Sequence, residues 1–338
     1  MAVTATVRVM SAEEIAAKAG GETPFLQMPQ RATLFAERAM RLRQLARGHA
    51  MEDFLVFMAD LAQAQQTRLA QFPEVPLPDA QALDRAAERG VPPLPASEWP
   101  RDAAWHGVLR ALVAELREKA PAATQPTLAR LESADGEWLE RQADCLLTCV
   151  MEGLDLATAP LVAAALQVYW VHMVAAVVQR QSRHPQGGQA FGRIDDATAC
   201  PCCGSRPVAS ITRSGGELMG QRYLHCSLCS AQWHMLRIQC THCLSNKHVA
   251  YQSLDLAGAD DDSASRAAGA AVQAETCEDC GHYLKIVHSD REPFVEPVAD
   301  DLATLTLDLL VSDTGLKRHG VNLMLLFGEP EPPPPGAP

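Results

Sequence analysis

Cys200-Pro201-Cys202-Cys203, Cys226-Ser227-Leu228-Cys229, Cys240-Thr241-His242-Cys243 and Cys277-Glu278-Asp279-Cys280 decide how this chain is read. Each block ends in a Cys-x-x-Cys spacing, which sets two sulfurs on one side of a tight turn with backbone amides aimed at them. Two such knuckles complete a four-sulfur cage for a tetrahedral ion. A single pair is a weak signal because redox motifs share it, but four pairs between residues 200 and 280 point to two metal sites. The segment Ser230 to Gln239, with Trp233, Met235, Leu236 and Ile238 and no breaker, reads as a strand. Ten extended residues span roughly 33 Å, too far for the second and third knuckles to share an ion. The expected ligand sets are therefore Cys200, Cys203, Cys226, Cys229 and Cys240, Cys243, Cys277, Cys280, although spacing also allows a cross-braced pairing of first with third and second with fourth. Cys202 competes with Cys203 inside the first knuckle, and the outer spacing favours Cys203.

Working outward, nine of the eleven cysteines follow residue 199, and a helical front precedes them. The fold class expected is α+β: an all-α domain over 1–183, a Pro- and Gly-bearing linker over 184–199, two rubredoxin-like or zinc-ribbon β modules over 200–239 and 240–298, a C-terminal helix and tail over 299–327, and a Pro-rich, disordered end over 328–338. Helices are predicted over about 51–72, 79–89, 97–119, 124–151 and 156–183, each bounded by proline or glycine, with a capping-box match at Ser11 and Glu14 and a stop at Gly20-Gly21. Strands are predicted on either side of Ser214-Gly215-Gly216, where the glycine pair is a turn and not a phosphate loop, and near 248–254 and 282–288. The acidic insert 258–269, with Asp260 to Asp262, reads as a loop. Leu302, Leu305, Leu309 and Leu310 place one helix over 299–312.

The net charge of -12 repels nucleic-acid phosphates and suits a basic protein segment as a partner. The apolar run Leu161 to Val178 contains Gln167 and His172 and reads as a buried core helix, so no membrane insertion is expected. Residues 1–14 carry no signal-peptide pattern, and the cytoplasm is the expected compartment, where paired cysteines are metal ligands before they are disulfides. Cys145 and Cys149, four apart on a helix, read as small buried hydrophobes. Trp233, His234 and His242 flank the middle knuckles, where they either contact a partner or metal or simply pack and face solvent. Asp300 and Asp301 either meet a client protein or favour the start of the last helix through its dipole. No catalytic triad is visible, and closed four-thiolate sites leave no open position for Lewis-acid chemistry.

These blocks resemble the formate dehydrogenase accessory proteins usually called FdhE. The resemblance rests on Cys200 to Ser205, Arg222-Tyr223-Leu224-His225-Cys226 through Cys229, Trp233-His234 before Cys240 to Cys243, Cys277 to Cys280 followed by Tyr283-Leu284-Lys285, and Ala299 to Leu305 with Asp308-Leu309-Leu310. It covers roughly residues 200–327, in family order; Cys202 is a departure from the usual first knuckle. The resemblance implies a cytoplasmic protein needed to produce active respiratory formate dehydrogenase without being part of it. It further implies contact with the catalytic subunit before export, and iron in two rubredoxin-type sites. Residue chemistry alone keeps zinc as the alternative metal and allows a rubredoxin-like electron carrier or, less well, a nucleic-acid-binding zinc ribbon. A homo-oligomer is also allowed.

Overall fold

Local caps and buried apolar stripes set the helices of the front half. The computed structural model describes residues 23–183, 190–215, 218–254 and 269–326. The capping box at Ser11, most of the acidic insert and the Pro-rich end lie outside the described residues. Seven α-helices are described before the first knuckle: α1 (Leu34–Ala46), α2 (Glu52–Ala70), α3 (Ala80–Glu88), α4 (Ala104–Leu116), α5 (Gln125–Ser133), α6 (Gly136–Thr148) and α7 (Ala159–Ser182). Asp79 and Asp135 cap α3 and α6 by accepting from the amides of Ala82 and Trp138, each at 2.7 Å. The cap at Asp135 splits the single helix expected over 124–151 into α5 and α6.

The sequence pattern did not single out α1, and its burial explains why. Its inner face includes Arg38 and Arg41, both buried, so its apolar periodicity is broken by charge. Their partners lie far along the chain, Glu296 for Arg38 at 3.1 Å and Asp300 for Arg41 at 2.7 Å. Helix α7 forms the centre, packed by α2, α4 and α6. It contains a window with mean hydropathy 1.9, long and apolar enough to cross a membrane, yet 83% of that window is buried inside the protein.

The back half is a mixed sheet of β1 (Leu26–Gln27), β2 (Pro207–Thr212), β3 (Arg222–Cys226), β4 (Gln232–Met235), β5 (Val249–Gln252), β6 (Val272–Cys277), β7 (His282–His288) and β8 (Lys317–Arg318). The order is β1-β4-β3-β2-β7-β6-β5, with β8 on β7. The architecture is α+β, as expected. The two β modules are joined edge to edge by the parallel pair β2–β7, where Ser210, Ile211 and Thr212 face Ile286, Val287 and His288. The first module also shares the helices' hydrophobic core, which includes Trp105, Trp170, Cys200, Cys203, Cys226 and Cys229. Backbone amides of Leu94 and Ala96 donate to the carbonyls of Cys202 (3.1 Å) and Cys203 (2.9 Å), and Gln167 of α7 donates to Ser227 O at 2.8 Å.

Three expectations change here. The strand expected over 230–239 ends at Met235 because Arg222 draws in the carbonyls of Leu236 (3.1 Å) and Gln239 (2.8 Å) while pairing with buried Glu275 at 2.6 Å. Strand β6 went unread because Gln273, Glu275 and Thr276 are buried polar residues, which removes any apolar signal. The helix expected over 299–312 is two, α8 (Pro297–Ala303) and α9 (Leu305–Asp313), broken at Thr304, whose hydroxyl donates to Asp300 O at 2.7 Å.

Two tests follow from this packing. A Cβ on Gly320 would lie 2.8 Å from Pro207 O and 2.9 Å from Val208 O, so only glycine lets the C-terminal segment approach β2 this closely. Gly320→Ala is expected to lose about 1–3 kcal/mol, read as a lower urea midpoint. At the β2–β7 seam, burial pushes the His288 pKa down to about 4, and its ring pairs with the Thr212 hydroxyl at 3.1 Å and Gln273 Oε1 at 2.9 Å. A folded pKa below the unfolded one means the stabilisation is complete above about pH 6.5 and is lost as pH falls toward 4. The urea midpoint is expected to drop between pH 7.5 and 5.0, and less so in His288→Gln.

Candidate metal centres

Each knuckle is built by the same local device. The residue after its second cysteine takes a left-handed conformation: Gly204 (φ 75), Ser230 (φ 58), Leu244 (φ 61) and Gly281 (φ 69). This turn lets Gly204 N donate to Cys200 O at 2.7 Å and Gly281 N to Cys277 O at 2.9 Å, closing the chain around the sulfurs. Amides then point at the first sulfur, as Leu228 N and Cys229 N do at Cys226 Sγ (3.4 Å each), and His242 N and Cys243 N at Cys240 Sγ (3.4 and 3.5 Å).

The structure brings first with second and third with fourth. Cys200, Cys203, Cys226 and Cys229 form one group of four sulfurs, and Cys240, Cys243, Cys277 and Cys280 the other, all ligand atoms within 4.8 Å of one another in each. Cross-cage sulfur separations are 3.6 Å (Cys200–Cys229), 3.5 Å (Cys203–Cys226), 3.6 Å (Cys240–Cys280) and 3.8 Å (Cys243–Cys277). A tetrahedron with metal–sulfur bonds of about 2.3 Å has edges of about 3.8 Å, whereas a disulfide needs about 2.05 Å. Both groups therefore have the size of a cage for a tetrahedral ion, and all eight cysteines are free thiols. Four sulfurs in a tetrahedral arrangement suit zinc or iron alike.

The two cages differ in exposure. All four sulfurs of the first are buried, three of their residues completely. Burial holds the Cys200, Cys226 and Cys229 thiols well above the usual range, while Cys203 falls well below it: burial raises it, but hydrogen bonding with Cys200, Cys226, Cys229 and Ser205 outweighs that. Four thiolates enclosed in the core would need a bound cation to balance them. In the second cage Cys240 and Cys277 are buried, Cys280 is half-buried and Cys243 is exposed.

Cys202 is buried beside the first cage but outside its group of four. Burial raises its thiol, yet hydrogen bonds with Cys200 and Cys229 bring it down to about 7. Cys145 and Cys149 are not the buried hydrophobes expected. Cys145 is half-buried and donates to Glu152 O at 3.5 Å, and Cys149 is exposed in the left-handed position ending α6.

Trp233, His234, Asp300 and Asp301 were open in sequence between partner contact and a structural role. Trp233 is 1% exposed and donates to Ala197 O at 3.1 Å, so it packs the first module. Asp300 is buried against Arg41, and Asp301 between Lys285 (3.1 Å) and Arg318 (2.7 Å). None of the three is presented to a partner. His234 is half-buried, edge-on to Tyr223, with Nε2 3.0 Å from Gln221 Oε1.

A histidine cluster on the rim of the second cage was only partly read. His242 stacks on His282 (centroids 3.8 Å apart, planes at 10°), and His319 meets His242 edge-on at 5.1 Å. His282 Nδ1 lies 2.8 Å from Cys280 O, and ligand atoms of His242, Cys280 and His282 converge within 4.8 Å. The signal for His282 was available, since it follows the fourth knuckle at Cys280-Gly281-His282. His319 is remote in sequence and only β8 pairing on β7 brings it near.

Comparison with known proteins adds a family to this geometry. Three family models match the chain: FdhE, N-terminal, over residues 23–187; FdhE, central domain, over 199–237; and FdhE, C-terminal domain, over 238–325. A protein FdhE homolog from Serratia proteamaculans is 38% identical over 328 residues, covering 96% of this chain and 99% of the relative. One from Edwardsiella ictaluri is 38% identical over 329 residues, covering 96% and 100%. The crystal structure of the FdhE protein from Pseudomonas aeruginosa aligns with a TM-score of 0.78 at 37% identity, over 90% of this chain and all of that one.

Proposed function

This chain belongs to the FdhE family, and on that basis we propose that it is an accessory protein in the formation of active respiratory formate dehydrogenase. It binds the enzyme's catalytic subunit in the cytoplasm, before export, and carries a metal ion in each four-cysteine cage, iron in preference to zinc. It has no turnover reaction of its own. The observation that carries the reading is the unequal exposure of the cages: the first is enclosed in the core, while the second offers Cys243 and the His242–His282 stack to solvent. A closed four-sulfur site cannot act as a Lewis acid, so an exposed one serves contact or one-electron exchange with a docked client.

The test is anaerobic co-purification with the formate dehydrogenase catalytic subunit, paired with formate dehydrogenase activity in cells lacking this chain. Recovery of the subunit, and activity restored by the wild type but not by Cys243→Ser, are the expected results. No recovered subunit and unchanged activity in the deletion strain would sink the proposal. The exposed Cys243 also favours a second reading, a rubredoxin-like electron carrier. A colourless, redox-silent protein after anaerobic purification would end that one.

A further inference from the structure

A cavity of about 400 Å³ opens where the ends of α2 and α7 meet the chain before α1, lined by Arg31, Glu74, His172, Arg180 and Arg183 over an apolar floor that includes Phe72. From this grouping we infer a binding site for a phosphate-class oxyanion, separate from both metal cages. The three guanidiniums face one carboxylate, Glu74, so the pocket is positive in a chain whose net charge is -12.

Most buried or half-buried arginines elsewhere have acids within reach: Arg38 has Glu296, Arg41 has Asp300, Arg101 has Glu140, Arg222 has Glu275 and Arg318 has Asp301, while Arg213 is held by the side-chain oxygen of Gln232. Among the described residues, Arg31, Arg180 and Arg183 have no carboxylate within ion-pair distance. Arg31 and Arg180 instead anchor one N–H each on a backbone carbonyl, Leu69 O at 2.7 Å and Pro78 O, which aims the guanidinium, and among the described residues no carboxylate takes its other donors. Burial lowers the Arg31 pKa with no acid to offset it.

His172 supplies an independent observation. It is 7% exposed, its ring lies on Phe72 with centroids 4.5 Å apart, and its buried Nδ1 has no hydrogen-bond partner. An unpartnered buried polar atom is costly, and the residue that carries it lines a cavity beside three cations. An oxyanion with several acceptor oxygens satisfies the imidazole N–H and the planar forks together. The volume lies within the range of small-molecule sites, about 300–1,000 Å³, so the phosphate can be borne by a larger molecule.

Calorimetric titration of inorganic phosphate and pyrophosphate into the full-length protein, at fixed ionic strength, tests this. One saturable site per chain is expected, with pyrophosphate the tighter ligand. Arg183→Glu changes an exposed side chain and leaves the fold intact; it should weaken binding roughly ten- to hundredfold, the scale of a lost charge-assisted hydrogen bond. His172→Phe keeps a ring on Phe72, removes the donor and should also weaken it. Absence of saturable binding of either anion at millimolar concentration would overturn the inference. So would binding that is equal in wild type, Arg183→Glu and His172→Phe.

Discussion

Cys226→Ser is expected to unfold the protein's core, while Cys243→Ser is expected to release a metal ion and leave the fold standing. Both replace one sulfur of a four-sulfur cage, so the difference lies in what surrounds each. Cys226 ends β3, is fully buried, and takes two amide hydrogen bonds within a cage belonging to the same apolar core as α7. A structural tetrahedral site contributes about 10–16 kcal/mol in small metal modules, comparable to the whole stability of a domain, about 5–15 kcal/mol. Losing it at the centre of the molecule leaves buried thiols without a cation and takes the packing of Leu94, Ala96 and Gln167 with it. At the sheet's far module Cys243 is exposed and Cys280 half-buried, so water reaches two of the four sulfurs once the ion leaves. Its loss should cost about 1–3 kcal/mol of global stability. Metal per chain and thermal unfolding, measured side by side, separate the two: one ion fewer with a cooperative transition for Cys243→Ser, and no cooperative transition for Cys226→Ser.

The second large effect is expected from Asp301→Ala. Asp301 accepts from Lys285, Arg318 and Asn322 at 3.1, 2.7 and 2.8 Å, and Lys285 is completely buried. Burial raises the Asp301 pKa, but Arg318 and Lys285 outweigh it and hold the carboxyl below its usual range. Its stabilisation is therefore present at neutral pH and is lost as pH falls through the depressed value. Removing it strands buried cations that Asp308 alone must balance, at 2.5 Å from Lys285 and 2.9 Å from Arg318. Breaking a buried pair in this way costs about 3–5 kcal/mol. The urea midpoint at pH 7 should fall accordingly, and a change below about 1 kcal/mol would show that the network does not hold α8 and β8 to the sheet.

These two sites also mark the limit of sequence reading. The cages were legible because a metal knuckle is a local object: spacing, turn and ligands lie within a few residues, and the chain closes them through Gly204, Ser230, Leu244 and Gly281. Helix α7 was legible because it is apolar on every side. What escaped depends on charge buried against charge far away in the chain. Arg38 and Glu296 are 258 positions apart, and with their partners unseen α1 lost its apolar stripe while Asp300 and Asp301 stayed open between client contact and a helix-dipole role. Glu275 in β6 and Arg222 in β3 repeat the pattern within the sheet, hiding one strand and shortening the one expected after Cys229. Trp233 was open to either reading in sequence, and only its packing against Ala197 decides for the core.

The chain gathers eight cysteines into a pair of four-sulfur cages, each of a size to hold a metal ion, one enclosed and one at the surface. Metal analysis with X-ray absorption on protein purified anaerobically from its native host tests it most directly. Two ions per chain, each with four sulfurs at about 2.3 Å, is the expected result, falling to one in Cys243→Ser. Fewer than one ion per chain, nitrogen or oxygen among the ligands of both, or cysteines recovered as disulfides would contradict it.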